Sequence, residues 1–518
     1  MDIRGVELSV AEWERLIQRA ESGEIDEPVE NVDWNDSAPF DAVFVGGGAA
    51  GRFGAAYLKA MGGRPLVVDR WPFLGGSCPH QACVPHHLFS EAARELDYLR
   101  WNSSTLWFPE FDASRARILD LITLFRSGRG AAHAFMNWQT KEQLDVEYVL
   151  NAEATVLGRH EVRVAGRTVT ARNLVLATGA RTVPPDVPGV EKRGVFDFAS
   201  LIEDLDYEPR RCVIIGGSKV AVEYGSYFQA TGCETTIVSR SPLLRTSSLH
   251  HVDEDLRLWV VDGMRQRGID IREGSRPVEI LGSDSVTGVR VVSADGAEMD
   301  IETDFVLIAT GEQPSTSVFV DVLGIDVDDR GFVKVDAGMR TSVPDVYACG
   351  DLIGSPMEMF KARKSGMTAA RNIMGETAEL DIAQYPDFLH TTYEVTWVGL
   401  SEDEARQKYR DVVVIQMPPK GLTEQIPLPT SEGTMLYAFT RPQLTGFQKA
   451  IFDSASRRLV GAHHVGFGAK DAFQYLDHLI KQGITIDDLG DMNELFLNPE
   501  HFIQLARLRA GNRQLQDL

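Results

Sequence analysis

Cys78 and Cys83 stand in the run Leu74-Gly75-Gly76-Ser77-Cys78-Pro79-His80-Gln81-Ala82-Cys83-Val84-Pro85-His86. Two thiols five positions apart can share one helical face and close a small, reducible ring, which suits them to taking up and releasing an electron pair. The chain holds 5 cysteines in 518 residues. That is too few for a disulfide scaffold, and the odd count suits a reducing compartment. The pair therefore predicts a redox dithiol rather than a structural staple.

Such a dithiol needs a partner that handles electrons, and the segment upstream offers a place for one. Asp41-Ala42-Val43-Phe44-Val45 is a short apolar strand feeding the loop Gly46-Gly47-Gly48-Ala49-Ala50-Gly51 and a helix through Tyr57 and Leu58. A second strand, Pro65-Leu66-Val67-Val68, ends at Asp69. This is a βαβ unit closed by an acid. Gly46, Gly48 and Gly51 let the backbone approach a pyrophosphate at a helix N-terminus, and Asp69 can accept hydrogen bonds from a ribose.

The pattern returns later. Arg211-Cys212-Val213-Ile214-Ile215 leads into Gly216-Gly217-Ser218-Lys219-Val220-Ala221, and Thr235-Thr236-Ile237-Val238 follows as the next strand. Ser218 and Ala221 depart from an all-glycine fingerprint. The second strand here ends in Ser239-Arg240, with Arg245 close behind, where the first unit has an acid. An acid would repel a 2′-phosphate and guanidinium groups grip one, so NADPH is predicted over NADH. The competing reading is an ordinary βαβ turn with two solvated arginines.

Leu176-Ala177-Thr178-Gly179-Ala180 and Leu307-Ile308-Ala309-Thr310-Gly311 add two strand–turn signatures. Val346-Tyr347-Ala348-Cys349-Gly350-Asp351 adds a strand ending in glycine and an acid, suited to the ribityl part of a flavin. After about residue 380 strands and amphipathic helices alternate, and Ser401-Glu402-Asp403-Glu404 reads as a capping box. The first forty residues are acidic and polar, with a helix predicted around Ala11 to Glu21, and read as an appended arm.

The length implies several domains. No apolar h-region opens the chain and no run approaches the ~20 apolar residues of a membrane span, so a cytoplasmic protein is expected. The net charge of −23 argues against nucleic acid and anionic lipid as partners. It also means that an anionic substrate needs a local cluster of arginines. No metal site is predicted.

Two dinucleotide units, a Cys-x4-Cys and the Ala-Cys-Gly-Asp strand together resemble the flavin-dependent pyridine nucleotide–disulfide oxidoreductases, such as glutathione reductase. The resemblance covers nearly the whole chain beyond the arm. It implies an α/β fold of two Rossmann-like dinucleotide-binding domains, for FAD and NADPH, plus a C-terminal α+β dimerisation domain. The implied division is an arm over 1–38, FAD-binding parts over 39–190 and 315–384, NADPH-binding over 191–314, and dimerisation over 385–518. It further implies a homodimer with the active site across the interface. Electrons would pass from NADPH through the flavin to the Cys78–Cys83 disulfide, with Cys83 facing the flavin and Cys78 attacking substrate.

The departures from that family are informative. Typical members carry Cys-Val-x-Lys, the lysine pairing a glutamate beside the flavin. Here His86 takes the lysine's place and Glu223 the glutamate's. Typical members also carry a C-terminal His-Pro-Thr-x-x-Glu, whose histidine protonates a leaving thiolate. The corresponding run is Phe496-Leu497-Asn498-Pro499-Glu500-His501. This exchange resembles the branch that cleaves 2-ketopropyl coenzyme M and traps the product with carbon dioxide, and Cys78-Pro79-His80, Arg52, His133 and Met136 fit the same pattern.

The resemblance has a chemical rationale. If the Cys78 thiolate attacks the thioether sulfur, the carbon fragment leaves as the enolate of acetone, and coenzyme M stays as a mixed disulfide. A pocket without a proton donor lets carbon dioxide trap that enolate as acetoacetate. Phe496 removes the donor and helps exclude water. His501 and His80 are candidates to stabilise the enolate oxygen. Arg52 is expected to hold the sulfonate. Arg363, between Lys361 and Lys364, is a second candidate whose competing reading is a surface basic face. His133 and Met136 either line the carbon dioxide pocket or pack a core. His463 and His464 read as structural, and Cys212, Cys233 and Cys349 as buried, inert thiols. A related flavoenzyme that fixes no carbon dioxide is the alternative function, and a non-catalytic redox sensor is the third.

Overall fold

The computed structural model describes residues 27–36, 38–103, 117–246, 249, 251–316, 319–417, 439–440, 445–466, 469–473 and 475–493, together with Arg15 and Arg19. The helix expected around Ala11 to Glu21 falls outside these residues, apart from Arg15 and Arg19, which are helical.

The first sheet is mainly parallel. Strand Phe40–Val45 is apolar along nearly its whole length because both faces are covered. It pairs in parallel with Pro65–Val68 on one side and Arg167–Leu176 on the other. Glu147–Leu150 extends one edge and Val346–Ala348 joins Arg167–Leu176, both in parallel. The appended arm needs correcting at its end. Val29–Glu30 adds an antiparallel edge strand against Leu150 and Val149. Asn31 fastens it, accepting from the Tyr148 N–H at 2.7 Å and donating to the Val146 carbonyl at 3.1 Å.

Four helices serve this sheet and the dithiol: α1 (Ala49–Ala60), α2 (Ser77–Gln81), α3 (Cys83–Asn102) and α4 (Ile118–Trp138). The expected helix Ala131 to Trp138 is the last part of α4. The second sheet is wholly parallel, in the order Asp270–Glu273, Glu234–Ser239, Arg211–Ile215, Phe305–Ile308, Val195–Phe196. Helices α5 (Phe198–Asp204), α6 (Lys219–Ala230) and α7 (Glu254–Gln266) belong to it.

The chain then returns to the first sheet through α8 (Met359–Ile373), which packs against α1. A Cβ on Gly366 would lie 2.1 Å from the Ala50 carbonyl oxygen, so only glycine permits this approach. Among the described residues the last sheet is antiparallel and five-stranded, spanning Asp387–His390 to Leu459–Val465. Ser401 and Glu404 form the expected capping box.

One apolar cluster joins these parts. Phe89 of α3, Ile122 of α4, Tyr224 and Tyr227 of α6, and Trp397 and Phe447 of the last sheet are buried together. Burying a side chain such as Phe89 contributes ~1.5–3 kcal/mol. The helix that begins at Cys83 is therefore anchored to both the second nucleotide unit and the C-terminal sheet.

Candidate active site

Cys78 and Cys83 are free thiols in mutual hydrogen-bond contact. They do not share one helical face. Cys78 lies on α2 and Cys83 opens α3, with a break at Ala82, whose φ and ψ are −122° and −96°. Glycine at 76 sets the entry to α2, at φ +69°, a region costly for other residues. The hydrogen bond from Cys83 holds the Cys78 thiol below its usual range, and the Arg363 charge adds to this against the opposing cost of burial. Cys83 moves the other way. The bond to Cys78, burial and the Glu358 carboxylate all push it up. The pair thus favours a Cys78 thiolate with the proton kept on Cys83.

On the Cys83 side, His86 Nδ1 lies 3.4 Å from Glu223 Oε2. Glu223 is buried on α6, and its other oxygen accepts from the His390 N–H at 2.8 Å. Burial alone would raise Glu223, but His86 and Lys219 hold it below the carboxylate range. The His–Glu pairing expected from the sequence is therefore present. Lys219, which the sequence reading did not single out, bridges Glu358 at 2.5 Å and Asp387 at 2.6 Å.

On the Cys78 side, Arg52 is buried on α1. Its guanidinium donates to Thr140 Oγ1 at 2.8 Å and Gln139 Oε1 at 2.6 Å, both neutral. Burial and the nearby Arg363 push it down to about 10. The two guanidinium carbons lie 5.7 Å and 4.5 Å from the ring of Phe53. Arg363 is exposed, and neither arginine forms an ion pair with a carboxylate among the described residues. Two like charges held together this way favour an anion between them.

His80 and His133 are fully buried. His80 Nδ1 lies 3.1 Å from His133 Nε2, and its Nε2 lies 3.5 Å from both Arg129 and Glu203. His133 stacks on Phe73 with centroids 3.9 Å apart, and burial followed by the His80 and Arg129 charges pushes it down to about 2. Met136 packs against Gly75. The structure thus builds these residues into the wall behind the dithiol loop. Both ring nitrogens of His80 are engaged there, which corrects its expected place facing an enolate. The core-packing alternative describes His133 and Met136.

The first nucleotide loop fits a flavin dinucleotide. A Cβ on Gly51 would fall 1.9 Å from the Gly46 carbonyl oxygen, and a Cβ on Gly76 would lie 2.8 Å from the Gly48 Cα. Asp69 accepts from the Gly47 and Trp71 N–H groups, though burial raises its pKa. Asp351 is raised by burial, against the pull of Lys361, and its carboxylate takes no hydrogen bond from a described residue. It is a half-buried acceptor suited to a ligand hydroxyl. The second loop is equally tight, since a Cβ on Gly216 would sit 2.1 Å from the Ala309 carbonyl oxygen. Ser218 takes the N-cap position of α6.

The two predicted phosphate ligands separate. Arg240 is exposed and has no hydrogen-bond or ion-pair partner among the described residues. Arg245 is committed to Glu254 and the Val252 carbonyl, which corrects its expected availability. Phe496 and His501 lie outside the described residues. Cys212, Cys233, Cys349, His463 and His464 are buried, as expected.

Residues 40–366 match the family model for pyridine nucleotide-disulphide oxidoreductases, and residues 385–506 match that family's dimerisation domain. The chain belongs to this family, and its cofactors are FAD and a nicotinamide dinucleotide. It is similar to a mercuric reductase of Bacillus cereus, with 26% identity over 92% of this chain and 73% of that one. A dihydrolipoyl dehydrogenase of Thermus scotoductus is 27% identical over 87% and 93% of the two chains. In structure the chain resembles the HOCl-induced flavoprotein disulfide reductase RclA from Escherichia coli, at a TM-score of 0.74, 23% identity, and coverage of 89% and 98%. That likeness shows the fold alone. Among the described residues no helix is long and apolar enough to cross a membrane.

Proposed function

We propose that this flavoprotein oxidoreductase cleaves the thioether of 2-ketopropyl coenzyme M reductively and directs the enolate of acetone to carbon dioxide, forming acetoacetate. The observation that carries the reading is the Arg52–Arg363 pair around Phe53, with the Arg363 charge reaching Cys78. In a chain of net charge −23, two arginines without a carboxylate form a local site for a sulfonate beside the nucleophile.

Gly46–Gly51 and Asp351 would hold FAD, which when bound would supply two-electron transfer between NADPH and the dithiol. Arg240 holds the 2′-phosphate of NADPH. The reduced pair holds a thiolate on Cys78 and a proton on Cys83. Cys78 attacks the thioether sulfur, the carbon–sulfur bond breaks, and its electron pair leaves with the enolate. Phe496 offers no proton, so carbon dioxide takes the enolate carbon. Cys83 then attacks the mixed disulfide, its proton leaves with coenzyme M, and the Cys78–Cys83 disulfide is restored. In this reading the FAD-binding parts span 39–190 and 315–384, the NADPH-binding part 191–314 and the dimerisation part 385–518. The working unit is a homodimer whose active site crosses the interface, with Phe496 and His501 brought by the second copy.

The test is acetoacetate formation from 2-ketopropyl coenzyme M, NADPH and bicarbonate. Stoichiometric acetoacetate and free coenzyme M are expected. NADPH oxidation with no acetoacetate above background would leave a flavin thioether or disulfide oxidoreductase that fixes no carbon dioxide.

A further inference from the structure

Lys361 is the third residue of α8 and is fully buried, an unusual place for an ammonium group. Its Nζ donates to the Gly354 carbonyl, and no carboxylate among the described residues lies within ion-pair distance of it. Asp351 and Glu358 act on it only through their fields, as does Cys349. Burial pushes Lys361 down to about 8, so it still carries its charge through most of the neutral range. The α8 N-terminus adds positive potential: the Glu358 side chain makes no capping hydrogen bond, and the first turn holds no acid.

This concentration of positive charge has a fixed position relative to the redox centre. The close contact of Gly366 with Ala50 locks α8 against the helix of the first nucleotide loop. Asp351 lies near enough to act on Cys78, and Glu358 near enough to act on Cys83. The Gly350–Ile353 turn and the start of α8 therefore flank the cleft that the dithiol faces. A redox ring passing electrons to that dithiol must sit in this cleft.

We propose that Lys361 is a positioning residue for electron transfer, its buried ammonium favouring the two-electron-reduced, anionic state of the bound flavin over the oxidised state. The role holds whichever thioether or disulfide the dithiol acts on, since it concerns only the flavin. Between the oxidised and reduced states, negative charge appears beside a cation that no described carboxylate pairs, so the attraction grows on reduction. The reduced state in turn holds the Lys361 proton more tightly.

The test is the flavin midpoint potential of the FAD-loaded protein, followed spectrally against redox dyes. In Lys361→Met the reduced state should lose at least tenfold in stability relative to the oxidised state, a downward shift of about 30 mV for a two-electron couple. Lys361→Arg should stay near the parent. The parent gives a second readout that needs no variant: its potential should fall more steeply with pH above about pH 8, where reduction begins to draw a proton onto Lys361. A Lys361→Met potential within threefold of the parent would overturn the proposal. So would a constant slope from pH 7 to 9.5, which also decides the matter if Lys361→Met fails to hold FAD.

Discussion

The surroundings of Cys78 and of Cys83 differ more than the two thiols themselves. Cys78 faces cationic groups, with Arg363 acting on it and Arg52 behind, and its thiol is held low. Cys83 lies on the carboxylate side, where Glu358 acts on it, and its thiol is pushed high. His86, on the first turn of α3 with Cys83, faces Glu223 of α6, and Lys219 ties Glu358 to the second nucleotide loop. The hydrogen bond between the thiols is the largest influence on each, and the Arg363 and Glu358 charges bias it in one direction. In the proposed function the thiol beside the arginines attacks the anionic substrate, and the other keeps its proton until it resolves the product.

The largest effect should come from deleting either thiol, and the two deletions should differ in kind. Cys78→Ala should abolish carbon–sulfur cleavage. Cys83→Ala should complete one attack and stop, trapping coenzyme M on Cys78 in a mass-detectable disulfide, while NADPH still reduces the flavin. Sustained turnover by Cys83→Ala would erase the distinction between the two sides.

Removing the arginine field comes next. Arg363→Met should raise KM for a sulfonate-bearing thioether roughly tenfold, an exposed charge-assisted contact being discounted for solvent. The sign of the pH effect follows from Arg363 lowering Cys78: without it the thiolate forms only at higher pH, so the acidic limb of the cleavage profile should move upward. An unmoved limb together with an unchanged KM would place both the sulfonate and the field elsewhere. A smaller change is expected at the second nucleotide loop. Arg240→Ala should lower the NADPH-over-NADH ratio of kcat/KM by about tenfold, whereas Arg245→Ala should alter it little because Glu254 already holds that guanidinium.

Much of this arrangement was legible in the sequence. The two βαβ units, Asp69 and the Ser401 capping box follow from local spacing, the His86–Glu223 pair follows from the family resemblance, and all are found. What was not legible depends on packing between distant segments. On a continuous α-helix a Cys-x4-Cys pair would project about 140° apart, so the break at Ala82 is what brings the thiols together, and its φ and ψ are not legible in the spacing. Arg245 looks free in sequence and is claimed by Glu254 nine residues on. The burial of His80 is set by α4 and by Glu203 of α5, both remote in the chain. Lys361 left a trace that the reading passed over. It shares helical spacing with Ala362, Ser365, Gly366 and Ala369, the stripe that packs inward.

The central claim is that this active site withholds a proton from a carbanion, and product partition tests it most directly. Phe496→His would restore a donor at the position where typical family members keep one. With bicarbonate fixed and total coenzyme M release followed separately, acetone should rise at the expense of acetoacetate while cleavage persists. An unchanged acetone-to-acetoacetate ratio in Phe496→His would contradict proton exclusion as the means by which the enolate is steered to carbon dioxide.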